Sequence, residues 1–150
     1  MPAEGRHLYN GQVHGVVVAV YRPADKHWLM IRRSKNVVAP RKVCFPGGGR
    51  ESGETHEQTA LREMREELGL HVKLLEQVWV HEDPSRGHIL FGYLAVLEPE
   101  RQEITTDPHE VEEPIWLTAE QALAHPDALP NSAFFISNLL KALPKHDLCK

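Results

Sequence analysis

The sequence predicts an α/β fold assembled from several β-hairpins and a few helices, not from regular βαβ winding. Two observations carry this reading. Short apolar runs with strand chemistry alternate with segments of helical period, and the helical segments bring their own start and stop signals. The composition agrees: 41% hydrophobic and 25% charged residues are ordinary for a globular chain, and 150 residues predict one domain spanning 1–150.

Residues 13–21 are rich in β-branched side chains and predict a buried strand, ended by Arg22-Pro23-Ala24-Asp25. Residues 27–33 read as its hairpin partner, with Trp28, Met30 and Arg32 alternating against Leu29, Ile31 and Arg33. A short strand over 42–45 is stopped by Pro46 and the triple glycine Gly47-Gly48-Gly49. A helix follows over 55–68, with Thr55 as N-cap, Gln58 three residues on, and Gly69 where a left-handed C-terminal cap is wanted. Residues 72–80 and 89–97 form a strand pair around the turn-prone segment 82–87. A strand over 114–117 leads to a brief helix capped by Thr118 and ending near Ala124. Asn131 opens a last amphipathic helix, with Phe134, Phe135, Leu139 and Leu143 expected on its buried side.

Charge and cysteine usage narrow the class of partner. A net charge of −4 gives no general reason to bind nucleic acid or an anionic membrane, so a small anionic ligand needs local positive charge or a bound cation. The two cysteines, Cys44 and Cys149, form no disulfide framework. Residues 1–10 are polar, and the longest apolar run, 16–21, is far too short to span a bilayer. The expected setting is the cytoplasm, without a membrane or nucleic-acid partner, as a monomer or homodimer. Ten histidines are scattered along the chain; His81 and His88 flank a predicted turn and read as a solvated pair or a substrate contact. His56-Glu57 lacks the second histidine of a zinc-protease helix.

The informative stretch runs from Gly48 to Leu70, GGRESGETHEQTALREMREELGL. On a helix, Glu63, Glu66 and Glu67 fall within one arc of roughly 100°. Ala60, Leu61, Met64 and Leu68 occupy the adjacent arc, and Arg62 and Arg65 are placed opposite the acidic one. Carboxylates at i, i+3 and i+4 repel, and near a helix C-terminus they also oppose the dipole. A solvated acidic face is one reading. The adjoining glycines favour another, a divalent-cation site, because they let backbone approach a ligand and can turn a carbonyl towards it.

Gly48, Glu54 and the run Arg62-Glu63-Met64-Arg65-Glu66-Glu67-Leu68-Gly69-Leu70 stand at the spacing of the Nudix box, and the chain is identified on them as resembling the Nudix hydrolase family. The resemblance implies the Nudix fold, a mixed β-sheet sandwiched between helices (α/β/α). It implies a pyrophosphohydrolase that uses Mg²⁺, or Mn²⁺ in its place, to cleave a nucleoside diphosphate from another moiety. Glu66 and Glu67 then bind metal, Glu63 serves as ligand or base and ranks first as base, and Gly47 offers its carbonyl. Gly48, Glu54, Arg62 and Gly69 hold the box together, with Glu54 pairing Arg62.

Outside the box, spacing resembles the MutT-like nucleoside triphosphate pyrophosphohydrolases of the family. Glu110, six residues before Trp116, is the implied extra carboxylate ligand, with Glu112 and Glu113 as competitors. Arg33 stands where an arginine contacts phosphate, and it reads equally as an exposed strand arginine. Asn131 stands where an asparagine reads a purine edge, and it is an equally good helix N-cap. Phe45 lines the base pocket or packs the core. The expected substrate is therefore a small nucleotide: a (d)NTP, including 8-oxo-dGTP, released as monophosphate and pyrophosphate. ADP-ribose or a nucleotide sugar is the alternative, and a non-catalytic nucleotide-sensing module is the alternative class.

Overall fold

The computed structural model describes residues 8–9, 12–130 and 132–148. Its centre is the strand β2 (Gln12–Arg22), which belongs to two sub-sheets. Along its length it pairs in parallel with β7 (His88–Leu97), from Val13 opposite His88 to Val20 opposite Ala95. On its other edge it meets the short strand β1 (Leu8–Tyr9) and then β5 (Gly47–Gly49), both antiparallel. At Tyr21 it turns into β3 (His27–Arg33), which carries β4 (Val43–Cys44) on one edge and β8 (Val111–Leu117) on the other. β6 (Val72–Asp83) pairs antiparallel with β7 and closes the far side. The sheet is mixed, as expected.

Helices cover both faces, because β2 alternates. Val16, Val18 and Val20 point to one side and pack under α1 (His56–Leu68) through Ala60, Met64 and Leu68. Ala19 and Tyr21 point to the other, beneath α2 (Ala119–Ala124) and α3 (Ser132–Ala142) through Ala122, Phe135, Ile136 and Leu139. Two dry cores thus lie on opposite sides of one strand, which is why residues 13–21 read as an apolar run without alternation. The capping residues act as expected. Thr55 and Gln58 form a reciprocal capping box, Thr118 and Gln121 another, and Gly69 closes α1 at φ 66°.

Several expectations need correcting. The triple glycine does not stop a strand; it is one, pressed against Val16 and Val17. A Cβ on Gly47 would lie 2.0 Å from the Val16 carbonyl oxygen, so only glycine brings the chain this close. Strand β8 begins at Val111, three residues earlier than its apolar part, because pairing with β3 extends it. Leu61 and Phe134, placed on buried faces, are 39% and 69% exposed. Phe135 faces inward as expected, over Gly92, where a Cβ would stand 2.7 Å from its ring. Leu143 is buried, but in a 3-10 turn after α3. Asn131 lies outside the described residues. No helix among the described residues is long and apolar enough to cross a membrane.

Candidate active site

The last two turns of α1 lie beside β5, and their carboxylates meet its backbone. Glu67 is 4% exposed and accepts a hydrogen bond from the Gly47 amide at 3.2 Å. Glu63 sits over Gly48, where a Cβ would come within 2.3 Å of its carboxyl carbon. That contact explains why the first box glycine tolerates no side chain. Burial raises the affinity of both carboxyls for a proton, and Glu67 is held well above the ordinary carboxylate range by desolvation first, then by the charges of Glu63 and Glu110. Glu66, by contrast, is open to solvent.

Arg62 departs from its expected place opposite the acidic arc. It stands one turn before Glu66 and folds back into the carboxylates. Its guanidinium donates to Glu54 at 2.7 and 3.0 Å, to Glu63 at 2.9 Å, to Glu66 at 3.0 Å and to the Gly49 carbonyl at 2.9 Å. The pairing of Glu54 with Arg62 holds as expected, and it lowers the Glu54 pKa to about 2. Thr59 and the Glu51 amide supply further donors to Glu54. The arginine therefore ties the loop before α1, the glycine strand and the acidic face into one unit.

The three acidic residues of the loop have different surroundings. Glu112 pairs with Arg41 at 3.3 Å and Glu113 with Arg32 at 3.5 Å. Glu110 is the one whose charge is felt at Glu67. Arg33 lies at the same end of the molecule: its Nε donates to the Val38 carbonyl at 2.6 Å, and its Nη1 lies 3.8 Å from the Cys44 sulfur. Burial pushes the Cys44 thiol up, and Arg33 beside it draws it back down. Phe45 does not line an open pocket. It is 5% exposed and packs edge-on against Phe135 at 4.9 Å, inside the second core.

A divalent cation suits this donor set. Glu63 and Glu67 of α1 crowd the glycine strand, the charge of Glu110 bears on Glu67 as well, and a proton or a cation relieves the repulsion. Among the described residues, no three carboxylate, imidazole or thiol groups already meet as a closed cage. Glu66 is turned towards Arg62 at 3.0 Å.

One cluster had no signal in the sequence. His14 and His56, 42 positions apart, meet at 2.8 Å between Nδ1 and Nε2, with His56 stacked on Phe91 at 3.9 Å. His81 stacks on Trp79, and His88 stands opposite Asp83 in the strand register.

Residues 12–139 match the model of the NUDIX domain, and the chain belongs to the Nudix family. It is similar to the 8-oxo-dGTP diphosphatase of Escherichia coli (strain K12), 34% identical over 82 residues that cover 53% of this chain and 63% of that protein. It is also similar to the ADP-ribose pyrophosphatase of Methanocaldococcus jannaschii, 41% identical over 71 residues covering 44% of this chain and 40% of that protein. The chain thus spans less than two thirds of the length of either relative. Among solved structures, the MutT NUDIX hydrolase from Burkholderia pseudomallei superposes with a TM-score of 0.68 at 22% identity, over 85% of this chain and 98% of that one. At that identity the likeness establishes the fold, and it agrees with the mixed sheet between helices.

Proposed function

We propose that this protein is a Mg²⁺-dependent pyrophosphohydrolase acting on a nucleoside diphosphate linked to another group, with a (d)NTP, including 8-oxo-dGTP, as the leading substrate. The observation that carries the reading is the crowding of Glu63 against Gly48 and of Glu67 against Gly47, with Glu110 near enough for its charge to bear on Glu67. Glu63, Glu66, Glu67, Glu110 and the Gly47 carbonyl would hold Mg²⁺ or Mn²⁺. Once bound, the cation neutralises the diphosphate and makes a coordinated water more acidic.

The chain's own residues do the rest. Glu63, fixed between Arg62 and Gly48, accepts the proton of the attacking water. Water adds at one phosphorus and the P–O–P bridge breaks, releasing the monophosphate and, from a triphosphate, pyrophosphate. Arg33 offers a planar fork of donors to the phosphate chain. Arg62 keeps Glu63 and the loop of Gly49 in register and takes no part in bond making.

The likeness to an ADP-ribose pyrophosphatase supports a second reading of the substrate, ADP-ribose or a nucleotide sugar. One assay decides. The protein is incubated with Mg²⁺ and dNTPs, 8-oxo-dGTP, ADP-ribose, dinucleoside polyphosphates or coenzyme A, and the products are resolved as monophosphate and pyrophosphate. Turnover of a nucleoside triphosphate is expected, with Glu66→Gln lowering kcat by at least 100-fold and leaving the fold intact. Full activity of Glu66→Gln would overturn the metal-site assignment. Tight nucleotide binding without turnover of any compound would make the protein a sensor.

A further inference from the structure

We infer that Ser34 is a positioning residue for the Glu110 carboxylate, holding the loop that carries it against the metal-binding end of α1. The inference rests on the reading of Glu110 as a metal ligand.

Glu110 is the one carboxylate of the set that α1 does not carry, so the 105–110 loop must be fixed to place it. On the helix side, the Thr105 amide donates to the Leu68 carbonyl at 2.9 Å and the Asp107 amide to the Glu67 carbonyl at 3.0 Å. These bonds use carbonyls that the end of a helix leaves unpaired. Within the loop, the Glu110 and Val111 amides donate to the Asp107 carbonyl at 3.1 and 2.8 Å, and the His109 amide to the Asp107 carboxylate at 3.0 Å. Asp107 therefore builds the turn and ties it to α1.

The other side is held by Ser34. Its amide donates to the Glu110 carbonyl at 3.0 Å, and its hydroxyl donates to the His109 carbonyl. The same hydroxyl accepts from the Asn36 amide at 3.1 Å. Ser34 is 4% exposed, so its hydroxyl serves two backbone groups with little water to replace it. The strand ladder does not do this work. Pairing of β3 with β8 slips between Arg32 and Arg33, which face Glu113 and Val111, and ends before Glu110. The slip directs Glu113 to Arg32 and Glu112 to Arg41, and the chain then reaches Glu110 under the hold of Ser34.

The test is a double-mutant cycle read by Mn²⁺ binding, using electron paramagnetic resonance on wild type, Ser34→Ala, Glu110→Gln and the double variant, without substrate. Ser34→Ala is expected to weaken Mn²⁺ binding roughly tenfold, the scale for residues that orient ligands. Placed on Glu110→Gln, it is expected to cause no further loss, since the carboxylate it orients is gone. Wild-type Mn²⁺ affinity in Ser34→Ala would overturn the inference. So would an equal loss in both backgrounds, which marks a merely structural role. If Glu110→Gln alone binds Mn²⁺ as wild type does, Glu110 is no ligand and the role of Ser34 falls with it, while the α1 part of the site is tested separately by Glu67→Gln. Should Ser34→Ala fail to fold, the near-isosteric Ser34→Cys carries the same cycle.

Discussion

At the scale of single residues, the site is held in tension between two kinds of carboxylate. Glu54 is fully compensated, with its pKa lowered to about 2 by Arg62. Glu67 is buried beside Glu63 and Glu110 and lacks such compensation. The two therefore respond oppositely to neutralisation. Glu67→Gln in chelator should leave stability equal or raise it by about 1 kcal/mol, while reducing activity at least 100-fold; a marked loss of stability in urea unfolding would contradict the buried repulsion. Glu54→Gln should cost about 1–3 kcal/mol at pH 7, because it leaves Arg62 short of its main partner. Since the folded pKa of Glu54 lies below its unfolded value, its contribution is present above about pH 4.5. It is lost as pH falls towards about 2. The gap between wild type and variant should thus close on acidification, and a gap that persists at pH 2 would show that the ion pair is not its source.

At the scale of an element, α1 is fixed at both ends by chemistry of different kinds. Its C-terminus is tied to the 105–110 loop and its flank to β5. Its N-terminus rests on the pair His14 and His56. His56 is the first helical residue, where the dipole disfavours positive charge, and Arg50 lies close to both rings. Nearby Glu57 favours the charged form of His56 only weakly, and the Tyr93 hydroxyl is engaged with Glu57 at 3.4 Å. Desolvation, chiefly, lowers both histidine pKa values from 6.5. A group with a lowered folded pKa contributes stability above its unfolded pKa, and that contribution is lost as pH falls through the folded one. The wild-type Tm should therefore drop more steeply from pH 7.5 to pH 5 than that of His56→Phe, which keeps the stack on Phe91 but does not titrate. Parallel slopes in the two proteins would remove the pair as the cause.

At the scale of the whole molecule, the cation should act as a stabilising ligand as well as a reagent. With Mg²⁺ at a hundred times its Kd, binding to the folded state alone adds about 2.7 kcal/mol. For a chain of this size that is roughly 5–10 °C in Tm. Differential scanning calorimetry with and without chelator checks this, and Glu67→Gln should abolish most of the rise. An unchanged wild-type Tm over millimolar Mg²⁺ would argue against a preorganised site. The two cores on β2 are closed by α1 on one side and by α2 and α3 on the other, with apolar side chains.

The sequence by itself determined what depends on near neighbours. Capping at Thr55, Thr118 and Gly69 is decided within three residues, so those helix ends were legible. The acidic arc of Glu63, Glu66 and Glu67 was legible too, and so was the pairing of Glu54 with Arg62 through the family's box. Tertiary structure alone decided what depends on distant partners. It turned the triple glycine into a strand, because Val16 and Glu63 crowd it from β2 and α1. It buried Phe45 against Phe135, which sits over Gly92, and left Phe134, the adjacent position on the helix, exposed. It joined His14 to His56, and Ser34 to Glu110, across separations that carry no periodicity. Helical period and caps are local quantities; the partners that Glu112, Glu113 and the Glu110 carbonyl find follow from where Arg41, Arg32 and Ser34 come to rest.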